Sequence, residues 1–145
     1  MILLDANIFL RYIVTPSTPE IRVMAETAKA LLASVERGEE EITTTEVVLH
    51  EVAYVLASKT HYGLPASEIT TALATILRLP GFRLPRGEKK RFLRALDLWE
   101  TYPALGLADA LIATTAMTRG AALATFARDF DRIPDLTRWQ PPSRN

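Results

Sequence analysis

The chain has 145 residues, with 17 basic and 17 acidic side chains and therefore no formal net charge. A neutral protein has no global field that attracts a polyanion, so any nucleic-acid site must be a local patch. The absence of cysteine excludes disulfides and thiolate metal sites and fits a reducing cytoplasm. We therefore expect a single cytoplasmic domain over residues 1–145. The start, MILLDANIF, lacks a basic region and no apolar run reaches ~18 residues, so neither a signal peptide nor a membrane span is expected.

The predicted elements alternate between short apolar strands and longer helices. The first half predicts a buried strand at ILL, a helix in ANIFLRYIV, a second helix capped by Ser17 or Thr18 and ended at Gly38, a strand around Ile42, and a helix in EVVLHEVAYVLASKT. The second half predicts a helix from Ser67 to Leu79, a brief strand at FRLP, helices in GEKKRFLRALDLWETY and GLADALIATTAMTRG, a strand at AALATF and an extended DLTRWQPP. This order predicts an α/β fold with a mainly parallel, helix-covered sheet.

Polar side chains follow three of the predicted strands. Asp5 follows the first, threonines 43–45 the second, and residues 125–129 the third. Because sites in open parallel sheets form at the carboxyl ends of the strands, these residues are expected to lie near a functional site.

Glu51 is the most unusual acid in the sequence. Its helical neighbours three and four positions away, which include Val47 and Tyr54, are apolar, so the spacing predicts that Glu51 lies on an apolar helix face. A carboxylate there must be paired, protonated or bound to metal. A buried ion pair, a tyrosine hydrogen bond and a metal remain alternatives. Glu46 is instead predicted to be a first-turn or capping acid.

Three aspartates have both a structural and a functional interpretation. Asp109, near the start of a helix lined by small residues, is either a helix-dipole or capping acid or a site residue. Asp5 is either an Asx turn or N-cap, or a site residue. Asp129 is a loop aspartate that is uninformative alone. Together with Glu51, these acids are able to converge on one pocket.

A cluster of carboxylates without cysteine or paired histidine ligands suits a hard cation, Mg²⁺ or Mn²⁺. Such a cation holds a phosphate and activates water for in-line attack. The two histidines, His50 and His61, form no ligand pattern, and no glycine-rich phosphate loop is present.

A basic segment accompanies these acids. Between Arg83 and Arg94 there are six basic residues against one acid, Glu88. The segment is either a track for a phosphate backbone or an exposed helix face that keeps the protein soluble. Arg11 is a further cation that would lie near the acidic pocket.

Four motifs in order give the chain a family resemblance. ILLDANIFLRYI, TTTEVVLHEVAYVLAS, GLADALIATTA and ALATFARDFDRI resemble the motifs of PIN-domain proteins, in particular the toxin subunits of VapBC toxin–antitoxin pairs. The resemblance implies a three-layer α/β/α fold and a Mg²⁺- or Mn²⁺-dependent endoribonuclease. It also implies a homodimer that is inhibited by a small antitoxin, whose tail enters the acidic groove, often with an arginine.

The resemblance also implies roles for individual residues. Asp5, Glu51 and Asp109 match the metal-binding acids, Asn7 the polar residue after the first acid, and Thr125 the threonine before the last motif. The family often reads TFDxDF there, whereas this chain has Ala127 in place of the first acid. Asp129 then either supplies the missing carboxylate from a shifted position, as a fourth catalytic residue, or the second metal site is weakened.

Two other functions remain open from the sequence. A PIN-like domain that has lost activity with the missing acid would bind RNA or a protein without cutting. A phosphatase with an aspartyl nucleophile also begins with an acid after a strand, but it requires a second acid where this chain has Asn7.

Overall fold

The computed structural model describes residues 1–143. That part of the chain forms two strands, six α-helices and one 3-10 helix. The strands are β1 (Ile2–Leu3) and β2 (Ile42–Thr43), and the helices are α1 (Ala6–Ile13), α2 (Pro19–Glu36), α3 (Glu46–Ala57), α4 (Ala66–Leu77), α5 (Glu88–Thr101) and α6 (Gly106–Thr118). The 3-10 helix is Arg128–Arg132. The final two residues of the predicted 1–145 domain, 144 and 145, lie outside the described part.

The two strands pair in parallel, so the predicted α/β class with a parallel sheet is confirmed. Ile2 lies opposite Ile42, and Leu3 lies opposite Thr43. Phe82 adds a parallel bridge to Ile42, which is the predicted FRLP strand reduced to a single pair. A side chain reinforces the strand ends, because Thr44 Oγ1 donates to the carbonyl of Leu4 at 2.9 Å.

Local sequence signals set the two ends of α2 as predicted, whereas α4 begins at Ala66 rather than at the predicted Ser67. Thr18 caps α2, where its hydroxyl accepts from the Ile21 amide at 3.2 Å, and Pro19 occupies the first helical position. Thr45 caps α3 in the same way through the Val48 amide at 3.3 Å. Gly38 follows α2 with φ +77°, a left-handed conformation that glycine adopts without a Cβ penalty.

The main core joins β1 and β2 to helices from both halves of the chain. Phe9 of α1 packs near Phe82, with ring centroids 6.4 Å apart, and both are fully buried. A smaller apolar cluster lies at the other end of the sequence and is formed by Leu105, Ala113, Ala116, Phe130, Ile133 and Leu136. The 3-10 helix is therefore anchored on α6 through Phe130, apart from the main core.

Two strand predictions are wrong. The predicted strand AALATF does not join β1 and β2; within residues 1–143 it forms one parallel bridge, from Leu123 to Arg138 in the extended DLTRWQPP segment. The residues of β1 are also not buried on both faces, since Leu3 is 58% exposed. In the described sheet β1 pairs with β2 alone, so it is an edge strand rather than a central one.

The membrane prediction agrees with the structure as far as helices are concerned. None of the helices in residues 1–143 is long and apolar enough to cross a bilayer.

Gly81 gives a stability test of the turn that brings Phe82 to the sheet. A Cβ at this position would lie 2.8 Å from Val35 Cγ1 and 3.1 Å from the carbonyl oxygen of Glu40. We therefore expect Gly81→Ala to lower the free energy of unfolding by about 1–3 kcal/mol, as overpacking does, when measured by urea denaturation.

The matched control removes the clashing methyl group. In a double-mutant cycle with Val35→Ala, the cost of Gly81→Ala should fall, because the closest contact is gone. An equal cost in both backgrounds would show that the Val35 contact is not its cause.

Candidate functional site

Asp5 lies at the junction between β1 and α1. It caps α1, and its Oδ1 accepts a hydrogen bond from the Ala6 amide at 2.8 Å. The side chain is exposed, as is that of Asn7 in the first turn of the same helix. The N-cap interpretation of Asp5 is thus observed, and it leaves the carboxylate accessible from solvent.

Glu51 is exposed, so the prediction that it lies on a buried apolar face is wrong. The buried face of α3 is formed by Leu49, Val52, Ala53 and Leu56. Val47 and Tyr54, the apolar neighbours used in the prediction, are themselves 75% and 66% exposed. Because α3 is apolar on almost every side, neighbours at helical spacing did not identify the face that packs on the core.

Asp109 and Asp129 are the two predicted acids that the structure brings together. Asp109 lies in the first turn of α6 and is half-buried, while Asp129 lies on the 3-10 helix and is exposed. Burial, and next the negative charge of Asp129, raise the pKa of Asp109 above its usual value. The ionised form of Asp109 is therefore disfavoured in the folded protein, next to a second acid.

Thr125 shapes the approach to Asp129. Its Oγ1 accepts a hydrogen bond from the Ala127 amide at 3.0 Å, which closes a short turn just before the 3-10 helix. Ala127 is exposed at this turn, where the related motif has an acid. Thr125 therefore fixes the backbone that leads to Asp129.

The four predicted acids do not form one compact cluster. In residues 1–143, no three acidic or histidine side chains are grouped so as to hold a metal ion. Their elements are nevertheless connected, because α1 packs on α3 and α3 packs on α6. The predicted convergence of the four acids on one pocket therefore stays a prediction; the structure connects the helices that begin at Asp5 or carry Glu51 and Asp109, and it places the charge of Asp129 near Asp109.

Arg91 is the residue at this site whose role the sequence did not reveal. Its guanidinium donates to Glu88 at 2.7 Å and to Thr115 at 3.1 Å, and it also bonds to Glu46. It therefore links α5 to the first turn of α3 and to α6. The spacing of Glu88 and Arg91, three residues apart on one helix, was the sequence signal for part of this network.

A groove of about 600 Å³ runs beside this network, between α3, α6 and residues 121–123. Val47, Leu111 and Ile112 supply apolar walls, and His50 and Arg119 supply polar groups. The groove is therefore amphipathic and lies between the helices that carry Glu51 and Asp109.

The basic segment is partly occupied by intramolecular contacts. Arg83 pairs with Glu41 at 3.2 Å, Arg91 holds the acids named above, and Lys89 Nζ donates to the carbonyl of Leu79 at 3.2 Å. Burial and the charge of Arg83 lower the pKa of Lys89. Half of the six cations thus serve the fold, which weakens the prediction that the segment tracks a phosphate backbone.

Comparison of the sequence with models of known protein families identifies the family of this chain. The PIN domain model matches residues 2–136, and the chain therefore belongs to the PIN-domain family. PIN domains are generally nucleases, so the fold is of a kind that hydrolyses nucleic acid. No curated protein matches the sequence.

The raised pKa of Asp109 predicts a conflict between stability and function. Since the folded-state pKa is raised, the stabilising effect of the protonated carboxyl is fully present below the ordinary value of 3.8 and is lost as the pH rises through the folded-state value. We expect Asp109→Asn, without added metal, to raise the thermal midpoint at neutral pH, and this gain to disappear in acid.

Thermal melts over that pH range provide the measurement. Asp97→Asn, which changes an exposed carboxyl on α5, is the control and should show no such gain. A midpoint for Asp109→Asn equal to or below that of the unaltered protein at neutral pH would contradict the prediction.

Proposed function

We propose that the protein is a Mg²⁺- or Mn²⁺-dependent endoribonuclease and the toxin component of a type II toxin–antitoxin pair. The proposal goes beyond the nuclease fold of the family. The observation that carries it is the pairing of Asp109 with Asp129 at the start of α6, where burial and the neighbouring charge together raise the pKa of Asp109. The motifs around Asp5, Glu51 and Asp109 support the toxin assignment by resemblance.

The donor set fits a hard divalent cation. Mg²⁺ is usually held by one or two carboxylates and keeps several of its waters, so the Asp109–Asp129 pair is a sufficient starting site. Asp5 and Glu51 are exposed carboxylates on helices that pack in sequence towards α6. When bound, the cation neutralises the charge of a phosphodiester and lowers the pKa of a water molecule.

The side chains of this chain have distinct proposed roles. Asp109 and Asp129 attract the cation, and Asp5 completes its ligands from the N-terminus of α1. Glu51 acts as a ligand or through a water molecule. Thr125 holds the turn that presents Asp129, and Asn7 offers an amide next to Asp5 for orienting a ligand.

The sharpest test replaces Asp5 without removing its cap. Asparagine is an equally good N-cap, so Asp5→Asn keeps the hydrogen bond to Ala6 and removes only the charge. We expect it to reduce Mg²⁺-dependent RNA cleavage about 100-fold or more, as loss of a principal electrostatic group does, and to relieve toxicity on expression.

Companion variants separate the contributions of the other acids. Glu51→Gln, Asp109→Asn and Asp129→Asn should be similarly inactive, because each removes a carboxylate that is proposed to hold the cation. Glu39→Gln, an exposed acid paired with Arg37, is the control and should cleave normally. Undiminished cleavage by purified Asp5→Asn protein would refute the proposed mechanism.

A second function, RNA or protein binding without cleavage, is favoured by one observation. Ala127 occupies the position of an acid in related motifs, and the described residues gather no third acid around Asp109 and Asp129. Unaltered protein that binds RNA but leaves it intact over long incubation with Mn²⁺ would establish this alternative. A crystal soaked in Mn²⁺ would show directly which of the four acids bind metal.

A homodimer and a small antitoxin are the proposed protein partners. Val47 and Tyr54 expose apolar surface on α3, and Ile112 exposes apolar surface on the facing wall of the groove. Exposed apolar patches of this kind mark protein–protein contacts, and we propose that a second copy of the chain covers this one. The antitoxin is proposed to place an arginine at the Asp109–Asp129 pair, whose shared charge suits a guanidinium.

The dimer proposal predicts a change in mass. Tyr54→Glu and Val47→Glu should convert a dimer to a monomer in sedimentation or light scattering, because a buried charge replaces apolar contact. Val23→Glu, at an exposed apolar position on α2, should leave the dimer intact. A monomeric unaltered protein would refute the proposal.

A further inference from the structure

Phe126 has an unusual environment for a large apolar residue. It is fully exposed, in the turn between Thr125 and the 3-10 helix that carries Asp129. It therefore lies three residues from the acid that is paired with Asp109. Its ring contributes to neither apolar core cluster of the described chain.

The backbone around Phe126 is held on both sides. Before it, Leu123 pairs with the C-terminal segment through the Trp139 amide at 2.9 Å, and Arg138 donates to the Thr125 carbonyl at 3.1 Å. After it, Phe130 is buried against α6. The ring is thus presented to solvent from a fixed turn, so a ligand that stacks on it orders little additional chain.

Two arginines follow Phe126 closely in the sequence, on the 3-10 helix. Arg128 and Arg132 are exposed, and neither makes an ion pair within residues 1–143. Arg138, by contrast, is held by Asp131. A fully exposed aromatic ring followed in the described chain by arginines without ion pairs suits an aromatic ligand that carries negative charge more than it suits an apolar protein surface.

We propose that Phe126 stacks on a base of single-stranded RNA, with Arg128 and Arg132 on the adjacent phosphates. The inference rests on the proposed function, because it makes Phe126 a substrate-positioning residue of the same site. A stacked base beside Asp129 fixes the register of the strand relative to the Asp109–Asp129 pair. Stacking is tolerant of sequence, since every base has a flat face.

Binding is measured apart from cleavage, in the full-length Asp5→Asn protein. The probe is a single-stranded oligoadenylate of about 10 nucleotides that contains 2-aminopurine, whose fluorescence is quenched when it stacks. Phe126→Ala should weaken binding about tenfold and abolish the protein-dependent quenching, while Phe126→Trp should preserve both.

Two controls test whether the effect of Phe126→Ala comes from the loss of stacking on a base. An oligonucleotide with abasic positions should bind equally well to the parent protein and to its Phe126→Ala variant, because no base remains to stack. Tyr62→Ala removes an exposed ring beside a different groove, near Ile13 and Leu64, and should leave quenching unchanged. Since Phe126 is outside the core, its variants should unfold at the same temperature as the parent.

The outcomes distinguish this inference from the proposed function. RNA that binds Phe126→Ala with unchanged affinity and quenching overturns the stacking proposal, even if the unaltered protein cleaves RNA. Loss of self-association or of antitoxin binding, with RNA binding unchanged, also overturns it and assigns Phe126 to a protein contact. Quenching that depends on Phe126 in a protein that does not cleave RNA supports stacking and refutes the nuclease.

Discussion

The Arg91 network is the interaction on which the arrangement of the site depends. One guanidinium bonds to acids on α3 and α5 and to a hydroxyl on α6, so it sets the relative positions of helices distant in sequence. Glu51 and Asp109 lie on two of these helices. Hydrogen bonds to charged groups are among the stronger polar contacts in proteins, and the Arg91 side chain that makes them is only 21% exposed.

The sequence predicted the elements that local chemistry determines. Thr18 and Gly38 marked the ends of α2 because a hydroxyl that accepts an amide, or a left-handed residue, acts within a few positions. The α/β class followed from the alternation of short apolar runs with long helices. The prediction that Asp5, Glu51, Asp109 and Asp129 converge on one pocket stays a prediction, although the charge of Asp129 does act on Asp109.

Contacts between distant segments could not be predicted from one sequence. Glu51 faces solvent, contrary to the prediction. Because α3 is apolar on nearly all sides, its hydrophobic pattern did not identify which face packs on the core. AALATF has the composition of a strand, but its partner, the Arg138 segment, is chosen by tertiary geometry. Arg91 could not be distinguished from the other five cations of its segment, because Glu46, the acid on α3 to which it bonds, lies 45 residues away in the sequence.

The separate anchoring of the 3-10 helix has a consequence for how the site is assembled. Asp5 and Glu51 belong to helices of the main core, whereas Asp129 is supported by the small cluster around Phe130. Elements that bury little apolar area open at lower free energy than the global core, and amide exchange reports such openings. The C-terminal unit is thus the part of the fold that the proposed cation would protect most, and its binding would then be coupled to local folding there.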